Sequence, residues 1–227
     1  ASVKSPAFAT PTTFGSLTLL ENATIRTDNP DLKGNGGSIE LDAGKQLTVL
    51  GKLIAPGGRV LLNNQGAADA TPYDNAQSIW LGERSLIDVA GYYARSYSPS
   101  GELLSARVYD GGDVEINAAR GFIVAKEGSV IKTTGTSGLV QVGASRDASM
   151  VYGAAGDIAI SARDGVLWDG SFVGGAQGTG ARGSFSLSLE GNANPIAISP
   201  APPTGELVLT VTTDKQNLTQ GLNVRDS

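Results

Sequence analysis

The sequence predicts an all-β fold, a parallel β-helix (solenoid) with loop insertions, and three observations lead to this prediction. A short phrase of alternating apolar residues recurs along the chain, two further short strands follow most copies, and glycines separate the strands. The 227 residues include 31 glycines, and only 17% are charged, whereas long helices show the opposite balance. Repeats of several short strands are typical of solenoids.

The repeated phrase reads glycine, small polar residue, aliphatic, any residue, aliphatic, polar residue, alanine. Its apolar residues alternate, which is the periodicity of a strand with one buried face. Three close copies and three looser ones are Gly37–Ala43, Gly112–Ala118 and Gly156–Ala162, then Gly58–Asn64, Gly183–Leu189 and Gly15–Leu19. Because one coil cannot bury its aliphatic side chains alone, we expect successive copies to stack.

Two more strands follow the copies and complete each coil. The second strands read "QLTVLG", "GFIVAKEG" and "GVLWDG", and the third strands read "KLIAPGG", "SVIKTTG" and "SFVGG". One coil therefore takes about twenty residues. The longer spacing from Gly58 to Gly112 predicts an intervening coil at 78–91 that lacks its opening glycine. The spacing from Gly112 to Gly156 predicts about two coils, with a short hidden one at Leu139–Val142.

Segments that break the repeat predict insertions and a separate tail. The insertions are expected at about 67–77, 92–110 and 135–155, within coils that extend over 1–191, followed by a proline-rich linker at 192–205 and a terminal strand and tail at 206–227. The alternative architecture is an antiparallel sandwich, which also has short alternating strands. Hairpin signals such as Asn35-Gly36 and Asp110-Gly111 fit that alternative, but a repeated phrase of several strands favours coils.

The composition excludes several kinds of site. Cysteine and histidine are both absent, which excludes disulfides, thiol nucleophiles, and the commonest general base and transition-metal ligand. A long protein threaded unfolded through a membrane gains from lacking cysteine, so its absence favours export. The net charge of −5, without a basic run, argues against a nucleic-acid or anionic-membrane partner. No apolar run is long enough to span a membrane.

Three stretches carry a family resemblance: "GGSIELDAGKQLTVLG", "GGDVEINAARGFIVAKEGSVIKTTG" and "AGDIAISARDGVLWDGS". They resemble the repeats of filamentous-haemagglutinin-like exoproteins, the secreted partners of two-partner secretion systems in Gram-negative bacteria. The resemblance covers about Gly15 to Gly191. It implies a right-handed parallel β-helix that is secreted or on the cell surface. It also implies an adhesin, a haemagglutinin or a stalk, a role in virulence, and an outer-membrane secretion partner for the parent chain.

The amino-terminal secretion domain of that family carries motifs of the NPNG and NPNL type. Here only "NPDL" at Asn29–Leu32 comes close. The chain begins at Ala1 without a positively charged start and an apolar segment, so no signal peptide is visible. We therefore expect an interior or carboxy-terminal segment of a longer, processed protein.

A cluster of ionisable residues raises an enzymatic alternative, because parallel β-helices also host polysaccharide lyases and hydrolases that use carboxylates. The cluster in and before "YDGGDVE" consists of Arg107, Asp110, Asp113 and Glu115. The competing interpretation is a Gly-Gly turn followed by solvent-facing polar positions. It is favoured because Asp113 occupies the slot that Ser38 and Asp157 occupy in other copies. We therefore assign no catalytic residue and expect no enzymatic activity.

Two glycine-rich stretches suggest other ligands. "RTDNPDLKGNGG" holds oxygen-bearing side chains that suit calcium, at Asp28, Asn29, Asp31 and Asn35. Their spacing matches neither an EF-hand nor the nonapeptide calcium repeat. "GGAQGTGARG" at 174–183 has the glycine content of a phosphate-binding loop, but no lysine–serine pair and no amphipathic helix follow. We expect solvated turns at both places, with no metal and no cofactor.

The longest insertion holds the best candidates for ligand binding: Tyr92, Tyr93, Arg95, Tyr97, Arg107 and Tyr109. Tyrosine and arginine are enriched at binding hot spots, and flat rings stack on sugars. Insertions project from the side of a solenoid, so these residues predict contact with a host-cell glycan or protein receptor. The alternative is that the tyrosines cover the flank of the coils. Trp80 and Trp168 lie inside expected strands and are predicted to be packed.

Three functions follow from these patterns. The first is a non-enzymatic segment of a secreted or surface-exposed adhesin, with a stiff body and decorated loops. The second is a carbohydrate-active enzyme, which would need a carboxylate cluster that departs from the repeat. The third is a stalk that binds nothing. The repeat, the glycine content, and the absence of histidine and cysteine favour the first.

Overall fold

The computed structural model describes residues 2–4, 15–27, 36–65, 77–101, 103–141 and 148–189. Within these ranges the protein is all-β and contains no helix. Its strands are β1 Ser2–Lys4, β2 Leu17–Leu19, β3 Thr24–Arg26, β4 Ser38–Ala43, β5 Leu47–Val49, β6 Lys52–Ile54, β7 Arg59–Asn64, β8 Ile79–Leu81, β9 Leu86–Asp88, β10 Tyr93–Tyr97, β11 Leu103–Val108, β12 Asp113–Ala118, β13 Phe122–Ala125, β14 Val130–Lys132, β15 Ser137–Gln141, β16 Ala148–Tyr152, β17 Ile158–Ala162, β18 Gly165–Trp168, β19 Ser171–Val173 and β20 Phe185–Leu189.

Three sheets form the body, and the chain visits them in rotation. Sheet A has the order β1-β4-β7-β12-β17-β20, sheet B has the order β2-β5-β8-β13-β18, and sheet C has the order β3-β6-β9-β14-β19. Neighbouring strands within each sheet are parallel. We call one passage through sheets A, B and C a coil. This parallel pairing excludes the antiparallel sandwich.

The core consists of aliphatic side chains that stack from coil to coil. In sheet A, the pairing aligns two buried rows, Ile39–Val60–Val114–Ile158 and Leu41–Leu62–Ile116–Ile160. Sheets B and C contribute the buried rows Leu47–Ile79–Ile123 and Leu53–Ile87–Ile131. Alternate residues in the strands of sheet A face outward, so the period of two in the sequence reflects one buried face per strand.

The glycine that opens each copy of the repeat is required by the close approach of consecutive coils. A Cβ added at Gly58 would overlap the carbonyl oxygen of Gly37, and the same relation holds for Gly112 over Gly58, Gly156 over Gly112, and Gly183 over Gly156. None of these glycines has a positive φ, so space rather than backbone conformation is the reason. They form a glycine column at the corner where the chain passes from sheet C to sheet A.

The predictions of two additional coils were wrong. β7 pairs directly with β12, and β8 and β9, from the 78–91 stretch, are the second and third strands of the coil that β7 opens. β12 pairs directly with β17, and Leu139–Gln141 belong to β15, outside the three parallel sheets. The glycine spacing was misleading because an insertion lengthens a coil without adding a strand to sheet A, B or C.

Two antiparallel hairpins account for much of the inserted sequence. Hairpin 1 (β10–β11) lies between β9 and β12, and hairpin 2 (β15–β16) lies between β14 and β17. Both leave the coils at the corner of the glycine column, between sheets C and A. Several sequence predictions fall outside the described residues: nearly all of the 67–77 insertion, the calcium candidates within 28–35, residues 142–147, the 192–205 linker and the 206–227 tail.

Candidate binding surface

Hairpin 1 and its two ends hold all six predicted ligand-binding residues, and two of these close its base. Tyr92 and Tyr109 stack with ring centroids 4.4 Å apart and planes inclined by 10°. The backbone N–H of Tyr109 donates to the carbonyl oxygen of Tyr92 at 2.9 Å. Tyr109 is only 6% exposed, and Tyr92 is half-buried. This pair packs on the flank of the coils, as the covering interpretation expects.

Tyr93 joins hairpin 1 to hairpin 2. Its hydroxyl donates to the carbonyl oxygen of Leu139, and its ring occupies the space that a side chain at Gly138 would need. The guanidinium carbon of Arg95 lies 5.0 Å from the centroid of the same ring, within the range of a cation–π contact. Tyr93 therefore holds the two hairpins together and positions a cation beside them.

Hairpin 2 packs in turn against the glycine-rich loop at 174–183. The ring of Tyr152 occupies the space that a side chain at Gly178 would need, and the hydroxyl of Ser137 donates to Oε1 of Gln177 at 2.7 Å. This loop leads into strand β20, whereas a phosphate-binding loop leads into a helix. Insertions from three successive coils thus contact one another in series, and we name this surface, residues 92–101, 103–110, 137–141, 148–152 and 174–183, the corner ridge.

The solvent-facing part of the corner ridge combines apolar side chains with cations. Its most exposed large apolar side chains are Tyr97 at 53%, Leu104 at 62%, Leu139 at 52% and Met150 at 49%. Leu139 and Met150 lie opposite each other across hairpin 2. Arg95 and Arg107 are exposed, and the guanidinium carbon of Arg107 lies 5.3 Å from the centroid of the Tyr109 ring. Exposed apolar groups beside arginine are typical of protein interaction sites.

Leu104, Leu139 and Met150 were not predicted as surface residues from the sequence. The sequence places Leu139 in a hidden coil, because apolar alternation does not distinguish a stacked strand from a hairpin strand. Met150, the single methionine of the chain, was the one available signal, since methionine is common at adaptable binding surfaces. The tryptophans are packed as predicted: Trp80 is 3% exposed, and Trp168 is half-buried and stacks on Phe172 at 4.5 Å.

Acidic residues considered as catalytic candidates connect neighbouring coils. Oδ1 of Asp110 accepts the backbone N–H of Ala154 at 2.7 Å. Oδ1 of Asp113 accepts the backbone N–H of Asp157 at 3.0 Å. Asp157 repeats this contact with the next coil by accepting the N–H of Ser184 at 2.6 Å. Asp113 and Asp157 occupy the same slot of the repeat and make equivalent bonds to the next coil, which gives both carboxylates a structural role.

Glu115, the third acidic candidate, belongs to a polar cluster on the outer face of sheet A. Nδ2 of Asn117 donates to its carboxylate at 2.8 Å, and the Arg59 guanidinium forms an ion pair with it. The Asn117 hydrogen bond, reinforced by Arg59 and opposed by partial burial, lowers the pKa of Glu115 below its ordinary value. The same Nδ2 donates to Oδ1 of Asn63 at 3.2 Å, so this cluster also links coils.

Among the described residues, no cluster of three or more histidine, cysteine, aspartate or glutamate side chains could hold a metal ion. No helix in that part of the chain is long and apolar enough to cross a membrane. Comparison with known proteins gave no match to a family model, a curated protein or a solved structure. The resemblance to filamentous-haemagglutinin-like exoproteins therefore stays a prediction.

Proposed function

We propose that this chain is a right-handed parallel β-helix and a non-enzymatic segment of a secreted or surface-exposed adhesin of the filamentous-haemagglutinin type. The corner ridge binds the receptor. The observation that carries the proposal is that insertions from three successive coils emerge at one corner and pack on one another. The right-handed winding follows from the general rule for connections between parallel strands.

The ridge has the chemistry of a macromolecular binding surface. Tyr97, Leu104, Leu139 and Met150 are exposed on the same ridge as Arg95. On contact with a receptor, the apolar side chains bury area and the arginine forms charge-assisted hydrogen bonds. Contacts between the hairpins hold these groups in place before binding, which lowers the entropic cost of association. The receptor is a glycan or protein on a host or neighbouring cell.

Export accounts for two features of the protein, the absence of cysteine and the stacking of repeated coils. A chain without cysteine cannot form premature disulfides while it is threaded unfolded through an outer-membrane secretion partner. Coils that contact mainly their neighbours can also fold progressively as they emerge. Both features support an extracellular location for the parent protein.

The proposal is tested by binding to a glycan array and to cultured host cells with a matched pair of variants. Tyr97→Ser combined with Leu104→Ser alters the ridge, whereas Leu20→Ser removes a leucine that is 68% exposed between β2 and β3, at the corner of sheets B and C. We expect the ridge variant to bind about tenfold or more weakly and the control to bind as wild type does. Equal binding by all three proteins would contradict the proposal that the corner ridge binds the receptor. Absence of binding by wild type would indicate a stalk. Shortened glycans on the array would indicate the enzymatic alternative.

A further inference from the structure

The described stack ends in a surface whose equivalent one layer earlier is buried. Within the described residues, β20, β18 and β19 are the last strands of sheets A, B and C. Phe172 on β19 and Phe185 and Leu187 on β20 are 39%, 54% and 38% exposed. Their paired equivalents one coil earlier are Ile131, Ile158 and Ile160, which are at most 5% exposed. One more layer of chain would bury the exposed side chains in the same way.

Aromatic rings replace the aliphatic rows at this end of the core. Trp168 stacks on Phe172 at 4.5 Å between centroids, and Phe172 lies 5.0 Å from Phe185, so one aromatic cluster spans all three sheets. A cleft of about 530 Å³ opens beside it and is lined by Phe172, Phe185 and Ile158 together with loop 174–183. The aromatic cluster is apolar, and within the described residues β18, β19 and β20 have no neighbouring strand on this side, so a suitable partner is an extended segment with alternating apolar residues.

The chain itself contains such a segment. "ELVLTVTT", Glu206–Thr213, alternates so that in a strand Leu207, Leu209 and Val211 would share one face, while Thr210 would lie on the other. β20 opens a further coil in sheet A, and in every earlier coil the strand of sheet A is followed by a strand of sheet B. An earlier coil already has a long connection at the corner between sheets A and B, from β7 at Asn64 to β8 at Ile79. The chain between β20 and Glu206 is of similar length, so it can make the same passage.

We propose that Glu206–Thr213 binds the free edge of sheet B and covers the aromatic cluster with Leu207, Leu209 and Val211, as a cap on the stack. A cap prevents the free edges from pairing with other chains, which is the usual hazard of exposed strands. The inference rests on the stacking of the coils and is independent of receptor binding, so the cap and the adhesin proposal can fail separately.

The test uses full-length protein and two adjacent substitutions that introduce the same charge. Leu209→Asp alters the apolar face of the segment, and Thr210→Asp alters the opposite face. Hydrogen–deuterium exchange is read at β18 and β19, with β5 in the second coil as an internal reference. Fluorescence of Trp168 is read in a Trp80→Phe background, because the chain has two tryptophans.

We expect Leu209→Asp to speed exchange at β18 and β19 about tenfold or more, to shift Trp168 emission to longer wavelength, and to leave β5 unchanged. Thr210→Asp should change neither readout. Equal effects of the two substitutions, or equal loss of protection at β5, would overturn the proposal. A second copy of the chain is the other possible occupant of this surface. In that case, protection at β18 and β19 would survive Leu209→Asp and rise with protein concentration, and sedimentation would show a dimer. That result would also overturn the proposal.

Discussion

Gly112 lies so close to the carbonyl oxygen of Gly58 that a Cβ on Gly112 would overlap that oxygen. Both glycines belong to the column at the corner of sheets C and A, where the backbones of consecutive coils meet without side chains between them. The glycine repeated in the sequence therefore reflects the close approach of the backbones of consecutive coils.

Gly112→Ala should separate two coils at this corner. Because the obstructing atoms belong to the backbone and cannot rotate away, we expect the free energy of unfolding to fall by about 3 kcal/mol or more. Urea denaturation measures the loss. Gly174→Ala is the control, since its Cβ would meet only the Thr133 Oγ1 atom, at 3.2 Å, and a loss as large as that of Gly112→Ala would contradict the spatial explanation.

Gly138→Ala should disturb the packing between the two hairpins. A side chain at this position would collide with the ring of Tyr93, displacing the tyrosine hydroxyl from the Leu139 carbonyl. In a double-mutant cycle with Tyr93→Ala, we expect the combined loss of stability to be smaller than the sum by at least about 0.5 kcal/mol. Additive losses would show that these residues act independently.

Asp157→Ala and Asp157→Asn distinguish a hydrogen-bond acceptor from a required charge. Alanine leaves the N–H of Ser184 without the Oδ1 acceptor and should cost about 1 kcal/mol of unfolding free energy. Asparagine retains an oxygen at that position and should remain within about 0.5 kcal/mol of wild type. If thermal unfolding shows the same loss for both, the negative charge matters and the structural role assigned to this slot is wrong.

Stability at acidic pH should depend on Glu115. Its pKa is lower in the folded protein than the ordinary value of 4.5, so its contribution is present above that value and is lost as pH falls through the lowered folded pKa. The carboxylate is part-exposed, at 34%, so we expect an effect below about 1 kcal/mol. Glu115→Gln and Asn117→Ala should both flatten the fall in melting temperature between neutral and acidic pH, and an unchanged slope in both would contradict this assignment.

Tyr109 should tolerate loss of its hydroxyl but not of its ring. Within the described structure, the buried hydroxyl has no hydrogen-bond partner, while the ring stacks on Tyr92. Tyr109→Phe should leave the unfolding free energy unchanged or raise it by up to about 1 kcal/mol, whereas Tyr109→Ala should lower it by about 3 kcal/mol. A clear loss in the phenylalanine variant would reveal a partner for the hydroxyl.

The buried face of the core strands could be predicted from the sequence alone. Ile116 illustrates this, because its place in an alternating strand predicts that it faces inward, and it is fully buried. Its neighbours were not predicted: the two expected additional coils would have separated it from Leu62 and Ile160, with which it pairs directly. Inward-facing positions are predictable because every coil buries alternate residues of its strand in sheet A in the same way.

Leu139 and Met150 were decided by the tertiary structure. Their strands alternate as the core strands do, yet they pair antiparallel with each other and expose both side chains. The contacts that place hairpin 2, with Tyr93 on one side and the 174–183 loop on the other, join residues far apart in the chain and have no repeated counterpart in the sequence. The sequence determined by itself which face of each coil strand is buried, because local periodicity selects that face, whereas strand pairing decided which strands stack and in what order. The composition of the ridge depended on nonlocal packing between single, unrepeated insertions, which only the folded chain brings together.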